Sequence, residues 1–140
     1  MTALTQAFEP ARKNGGYVLY NVGASQTIWK GSLVVTRGDG YLYPLATPSS
    51  GRASDTFVGI ADESVNNSAG SAGALSCHVW KTGSFLVALG SAAITDLGTE
   101  YYGADDATVS TTSTNAVAVG TCTEYINASQ IRIRIDQFTK

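Results

Sequence analysis

The chain has 140 residues, of which 44% are hydrophobic and only 14% charged, with a formal net charge of -2. The length suits one domain with one modest core, and the charge content falls well below the roughly 25% usual for soluble domains. The charge balance argues against a nucleic-acid binder, which needs a basic stripe to displace counterions, and no apolar run approaches the ~18 residues that would suggest a membrane helix; partners are expected to be protein.

Residues 1–16, MTALTQAFEPARKNGG, show neither strand alternation nor a sustained helical stripe, and lack the apolar stretch of a secretory signal. Pro10 removes a backbone donor and biases Glu9 towards an extended conformation, and Gly15-Gly16 makes a hinge. This segment is expected to be an extended N-terminal arm. Its apolar Leu4 and Phe8 and cationic Arg12 and Lys13 are the candidate contacts with a neighbouring subunit.

From Tyr17 onward strand patterns follow one another. YVLYNV, SLVV, YLYPLA, TFVGIAD, LSCHVW, SFLVAL, TEYY, ATVST, AVAVGTCTEY and QIRIRIDQF are rich in β-branched and aromatic residues, between Gly, Asp, Asn and Ser clusters. GDG at 38–40 reads as a tight turn. In IRIRID the isoleucines Ile131, Ile133 and Ile135 face one way, and Arg132 and Arg134 the other. A short helical turn fits only near Leu75 and Ile94. Residues 17–140 are predicted to be a single all-β domain, a small barrel or a two-sheet sandwich.

The domain repeats itself. GSLVVTRGDGYLY at 31–43 runs parallel to GTEYYGADDATVS at 98–110, so that Leu33, Val34 and Val35 correspond to Glu100, Tyr101 and Tyr102, Asp39 to Asp106, and Leu42 to Val109. Further on, VGIADES at 58–64 matches VGTCTEY at 119–125, and LSCHVW matches QIRIRI. The domain is thus expected to be built from two similar halves. A shorter echo pairs IWKGSLVV at 28–35 with VWKTGSFLVAL at 79–89.

This repeat disposes of the most site-like stretch. Asp105 and Asp106 fall where a hairpin turn is expected, and aspartate is favoured there because its carboxylate accepts backbone N–H bonds. Tyr101 and Tyr102, as adjacent strand residues, point to opposite faces. Paired catalytic acids must converge across a cleft, which neighbours on a turn do not. Trp29 and Trp80 each precede a lysine; they are expected to pack at a barrel end with the lysine in water, the competing reading being stacking platforms for sugar. His78, the only histidine, is expected to be a strand side chain rather than a metal ligand. Cys77 and Cys122 are expected to be reduced and buried. No nucleophile elbow or phosphate loop is present, so neither catalysis nor a cofactor is expected.

The succession KGSLVV, DGYLYPL, FVGIADES, KTGSFLVAL, LGTEYYGADDATVSTT, VAVGTCTEY and IRIRID resembles the capsid cement, or head decoration, proteins of tailed bacteriophages, over roughly residues 17–138. The resemblance implies a structural virion protein on the outer surface of an icosahedral head, bracing neighbouring major capsid subunits after folding in the host cytoplasm. It implies no catalytic or cofactor residues. By analogy it implies a homotrimer at threefold sites, with a dimer at twofold positions as the alternative. The chain departs from the pattern in its longer amino-terminal extension and at Thr121 and Cys122. The alternative function is a carbohydrate-binding or adhesive β-module displayed on a virion.

Overall fold

The computed structural model describes residues 11–140 together with Gln6, Ala7 and Glu9. Its strands are β1 (Tyr17–Asn21), β2 (Gln26–Ile28), β3 (Leu33–Thr36), β4 (Leu42–Pro44), β5 (Thr56–Ala61), β6 (Val65–Asn67), β7 (Ser76–Trp80), β8 (Ser84–Ala88), β9 (Glu100–Gly103), β10 (Val109–Ser110), β11 (Ala118–Asn127) and β12 (Gln130–Arg134). The only helical pieces among the described residues are single 3-10 turns at Arg52–Ser54 and Ile94–Asp96. The fold is all-β, and none of its helical turns is long enough to cross a membrane.

Two five-stranded antiparallel sheets carry the chain, in the orders β1-β7-β5-β3-β4 and β8-β12-β11-β9-β10. Taken in chain order within each half, these are the same topology: β1, β3, β4, β5 and β7 become β8, β9, β10, β11 and β12. The correspondence extends to single hydrogen bonds. Arg37 N donates to Tyr41 O across the first hairpin turn, as Ala104 N does to Thr108 O across the second. Gly31 N donates to Ala61 O, and Gly98 N to Cys122 O, both at 2.8 Å. Gly31 and Gly98 have φ of +88° and +83°, a conformation that side chains with a Cβ rarely adopt, and this is why the two halves share a glycine there. Strand pairing sets Val34 opposite Gly59 and Tyr101 opposite Gly120, as the sequence repeat requires. The shorter echo does not survive: β8 is the counterpart of β1, not of the segment after Trp29.

Each sheet curls until its edges meet, through parallel bridges from Val22 to Leu42 and from Ala88 to Thr108. The two units then stack with one wall inside the other's reach. One apolar cluster, with Val22, Ile28, Val34, Leu42, Val58, Ala61, Cys77 and Val79, fills the interior of the first unit. The other joins the interior of the second unit (Tyr101, Val109, Val119, Ile131, Ile133) to the outer wall of the first (Leu33, Val35, Phe57, Ile60). Complete burial of an isoleucine such as Ile131 or Ile133 contributes about 1.5–3 kcal/mol.

This head-to-tail arrangement explains a sequence difference between the halves. The outer wall of the first unit is covered by the second, and carries Leu33, Val35 and Ile60. The same positions of the second unit face solvent, and carry Glu100, Tyr102 and Thr121. Arg132 and Arg134 share that solvent face; the Nε of Arg132 lies 2.8 Å from Glu124. Two further links hold the units together. Leu33 N donates to Asp106 O at 2.8 Å, and the chain after β12 returns to the first unit, where Lys140 N donates to Phe57 O at 3.1 Å.

The β2–β6 ribbon, which has no counterpart in the second half, covers the first unit's interior through Ile28 and Val65. Its buried Asn67 is satisfied by the carbonyls of Gly23 and Ser71, each at 3.0 Å. The sequence shows neither strand, because QTI and VNN are short and Asn is a poor strand former. The helical turn expected near Ile94 is present as a 3-10 turn; the one near Leu75 is a non-helical turn.

Candidate functional site

An apolar surface is left open at the edge of the first sheet. Cross-strand register places Tyr17 opposite Trp80 and Leu19 opposite His78, and period-two alternation puts all four on one face. Their neighbours Tyr20, Cys77 and Val79 turn into the first unit's interior. The second unit covers only the β3–β5 part of this wall, so Leu19 remains 54% and Trp80 39% exposed.

Two carboxylates at the end of β5 complete the face. Asp62 Oδ2 accepts the Tyr17 hydroxyl at 2.8 Å, and the Trp80 side chain lies beside the same carboxylate. The Tyr17 bond, and second to it the neighbouring Trp80 side chain, hold Asp62 below the usual carboxylate range, and the bond to Asp62 in turn pushes the Tyr17 phenol up to about 12. Glu63 Oε1 accepts the His78 backbone N–H at 2.9 Å and lies 3.0 Å from the ring Nδ1. The backbone bond is the larger cause of its lowered pKa, and the ring contact adds to it. The Tyr17 and His78 rings stack at 4.9 Å, 3° from parallel, and Trp80 leans on Tyr17 at 4.4 Å.

Beyond Asp62 the surface continues to Trp29 and Lys30, on the turn that Ser64 Oγ holds by accepting Lys30 N at 2.9 Å. A shallow pocket there is lined by Trp29, Lys30, Ser32 and Asp106. The packing expected of the tryptophans is not seen at either: Trp29 is 65% exposed, and Trp80, 39% exposed, only leans on Tyr17 at the sheet edge. Of the two lysines, Lys30 is exposed as expected and Lys81 departs from expectation. Lys81 is not left to water: its Nζ donates to the Tyr20 hydroxyl at 2.6 Å and to the Lys140 carbonyl.

The site-like stretch at 98–124 is architecture. Asp105 Oδ1 accepts the backbone N–H groups of Ala107 at 2.8 Å and Thr108 at 2.7 Å. Asp39 Oδ1 accepts Tyr41 N at 3.0 Å in the first half. The capping carboxylate of the second turn is therefore Asp105, one residue before the aligned Asp106. Both aspartates are half-buried rather than exposed, since the turn abuts the first unit. Tyr101 is buried and Tyr102 half-buried on the opposite face, its hydroxyl 3.0 Å from Glu100.

His78 is a strand residue, and Cys77 and Cys122 are free, buried thiols. Among the described residues no three His, Cys, Asp or Glu side chains converge as a metal site would require. Of the arm residues singled out in the sequence, Arg12 and Lys13 are exposed, just before β1; Leu4 and Phe8 lie outside the described residues. Sequence reasoning missed Tyr17, Leu19, Asp62 and Glu63. Alternation in YVLYN and SCHVW places the first two on a face, but only register and curl bring the acids to it. No family model, curated protein or solved structure matches this chain.

Proposed function

We propose that this protein is a structural component of a phage virion, a decoration protein that docks on the outer surface of an icosahedral head and braces major capsid subunits. The observation that carries the reading is the open face of β1 and β7, where Leu19 and Trp80 stand exposed beside the half-buried Tyr17. Exposed aromatic and aliphatic side chains grouped on a rigid sheet mark interaction surfaces. Low overall charge supports the same reading, since such a surface docks without desolvating many ions. Weak contacts suffice when a shell carries many copies. In this reading the protein self-associates, as a trimer at threefold sites, and Arg12 and Lys13 of the arm meet acidic residues of a neighbour.

Co-sedimentation with phage heads prepared without this chain tests the proposal. The full chain pellets with the heads. A chain lacking residues 2–14 keeps its thermal midpoint but binds more weakly, most visibly at high salt, where the remaining charges are screened. Full-length chain that stays in the supernatant would refute the reading. Light scattering of the free protein tests the trimer.

A further inference from the structure

We propose that the face built by Tyr17, Leu19, His78 and Trp80 with Asp62 and Glu63 is a docking platform for an arginine- or lysine-bearing segment of a protein partner. The proposal rests on the decoration reading and names the chemistry that the capsid surface would present to this face.

The argument is a count of donors and acceptors. The face offers three polar hydrogens from its aromatic residues, and two are committed. The Tyr17 hydroxyl goes to Asp62, while the Trp80 side chain lies beside that carboxylate. With its Nδ1 hydrogen on Glu63, the neutral His78 ring presents Nε2 as an acceptor. Acceptors, by contrast, are left over. Both His78 contacts fall on Glu63 Oε1, and among the described residues no hydrogen bond reaches Oε2. The Asp62 carboxylate has about four lone-pair sites, more than the Tyr17 hydroxyl fills. A ligand for this face must therefore bring hydrogens and accept few.

Charge and ring geometry narrow the class. Two carboxylates meet one ammonium, that of Lys30, whose charge acts on Asp62; local charge favours a cation. Indole and phenol faces attract a cation laid over them, and Leu19 gives apolar contact to the methylene stem of a long basic side chain. A phosphate or carboxylate ligand would meet like charge. A neutral sugar would find aromatic faces and acceptors, but at most the Trp80 N–H as a donor for its many ring and hydroxyl oxygens. Guanidinium, with five donors and no acceptor, matches what is left open.

Nuclear magnetic resonance of the full chain tests the site, following the Trp80 indole N–H and the His78 ring. The probes are the blocked peptide acetyl-Gly-Arg-Leu-Gly-amide, its Glu counterpart, and N-acetylglucosamine. The arginine peptide is expected to shift both signals saturably. The glutamate peptide and the sugar leave them in place. Asp62→Asn with Glu63→Gln, which keeps an acceptor for Tyr17, Trp80 and His78, should weaken the arginine peptide at least tenfold while the fold persists. An unmoved Trp80 signal at millimolar arginine peptide overturns the proposal, and so does an equal or larger response to the sugar, which would make the face a glycan site. Head co-sedimentation separates this inference from the functional reading. Equal pelleting of wild type and the double variant overturns the docking platform and leaves the decoration role intact. A wild type that fails to pellet removes that role and with it the capsid as partner, leaving the peptide titration to decide whether the face binds cations.

Discussion

At the scale of single residues, adjacent aspartates in one turn act with opposite sign. Burial works against ionisation of Asp105, but the N–H groups of Ala107 and Thr108 win and hold its pKa below the ordinary value. Asp106 is raised, by burial first and by the neighbouring Asp105 charge second. A lowered carboxylate contributes stability above its unfolded pKa of about 3.9 and loses it as pH falls through the folded value. A raised one opposes folding once ionised. Asp105→Ala should therefore lower stability at pH 7 by about 1 kcal/mol, the worth of a lost turn cap, and Asp105→Asn by less, because the amide oxygen still accepts. Asp106→Asn should raise the thermal midpoint at pH 7 and leave it unchanged near pH 3. A midpoint lowered at pH 7 by Asp106→Asn would contradict the assignment. The thiols make a second residue-scale prediction. Burial is the main cause that lifts Cys77 to about 11 and raises Cys122 as well, and the thiolate is the reactive form. Neither should react with a water-soluble disulfide reagent at pH 8 until the protein is unfolded; rapid native-state labelling would show that the sites open.

At the scale of elements, the paired glycines of β5 and β11 look equivalent in sequence and are not equivalent in space. A Cβ on Gly59 would sit 1.9 Å from the Trp80 carbonyl oxygen, at a φ of +143°. At Gly120 the nearest atom is the Arg134 carbonyl oxygen, 2.9 Å away, and φ is ordinary. Gly59→Ala should cost about 3 kcal/mol or more, combining strain with the forced separation of β5 from β7. Gly120→Ala should cost less, about 1–3 kcal/mol, because the β12 backbone must shift to make room but no positive φ adds strain. Chemical denaturation of both variants checks the order, and equal costs would mean that the two strand pairs adapt alike. The β2–β6 ribbon belongs to this scale too. Sequence periodicity passes over it because three residues cannot display a period, and its stability comes from the first unit's interior rather than from its own pairing.

At the scale of the molecule, one apolar cluster runs from the second unit's interior to the first unit's wall, so the halves should not unfold separately. Calorimetry is expected to show one transition. Phe57 is 2% exposed within that shared cluster, and Phe57→Ala should cost about 3–5 kcal/mol while keeping the transition single. Two resolved transitions in wild type would show that each curled sheet is stable alone. The solvent face of the second unit has the polar residues that end such a stack: Glu100, Tyr102 and Thr121 stand where Leu33, Val35 and Ile60 are covered in the first unit.

Ten strands, the hairpin turns and the duplication were legible in the sequence, because each is a local property. Alternation in IRIRID states which side chains are buried, the glycines state where φ must be positive, and a repeated order of turns states that two halves share a topology. The sequence also identified Asp105 and Asp106 as turn residues, since the repeat supplied its own control. It did not reveal which wall of each curled sheet the other would cover. Leu33 and Val34 are equally buried and equally apolar, yet one packs against the second half and the other lines the first unit's interior. That choice, and the open face of Tyr17, Leu19 and Trp80 that follows from it, depends on contacts between residues far apart in the chain. Periodicity reports whether a side chain leaves water, but not what it meets there; only the register and curl of the first sheet bring Asp62 and Glu63 beside its aromatic residues, and only the stacking of the two sheets decides that this surface remains uncovered.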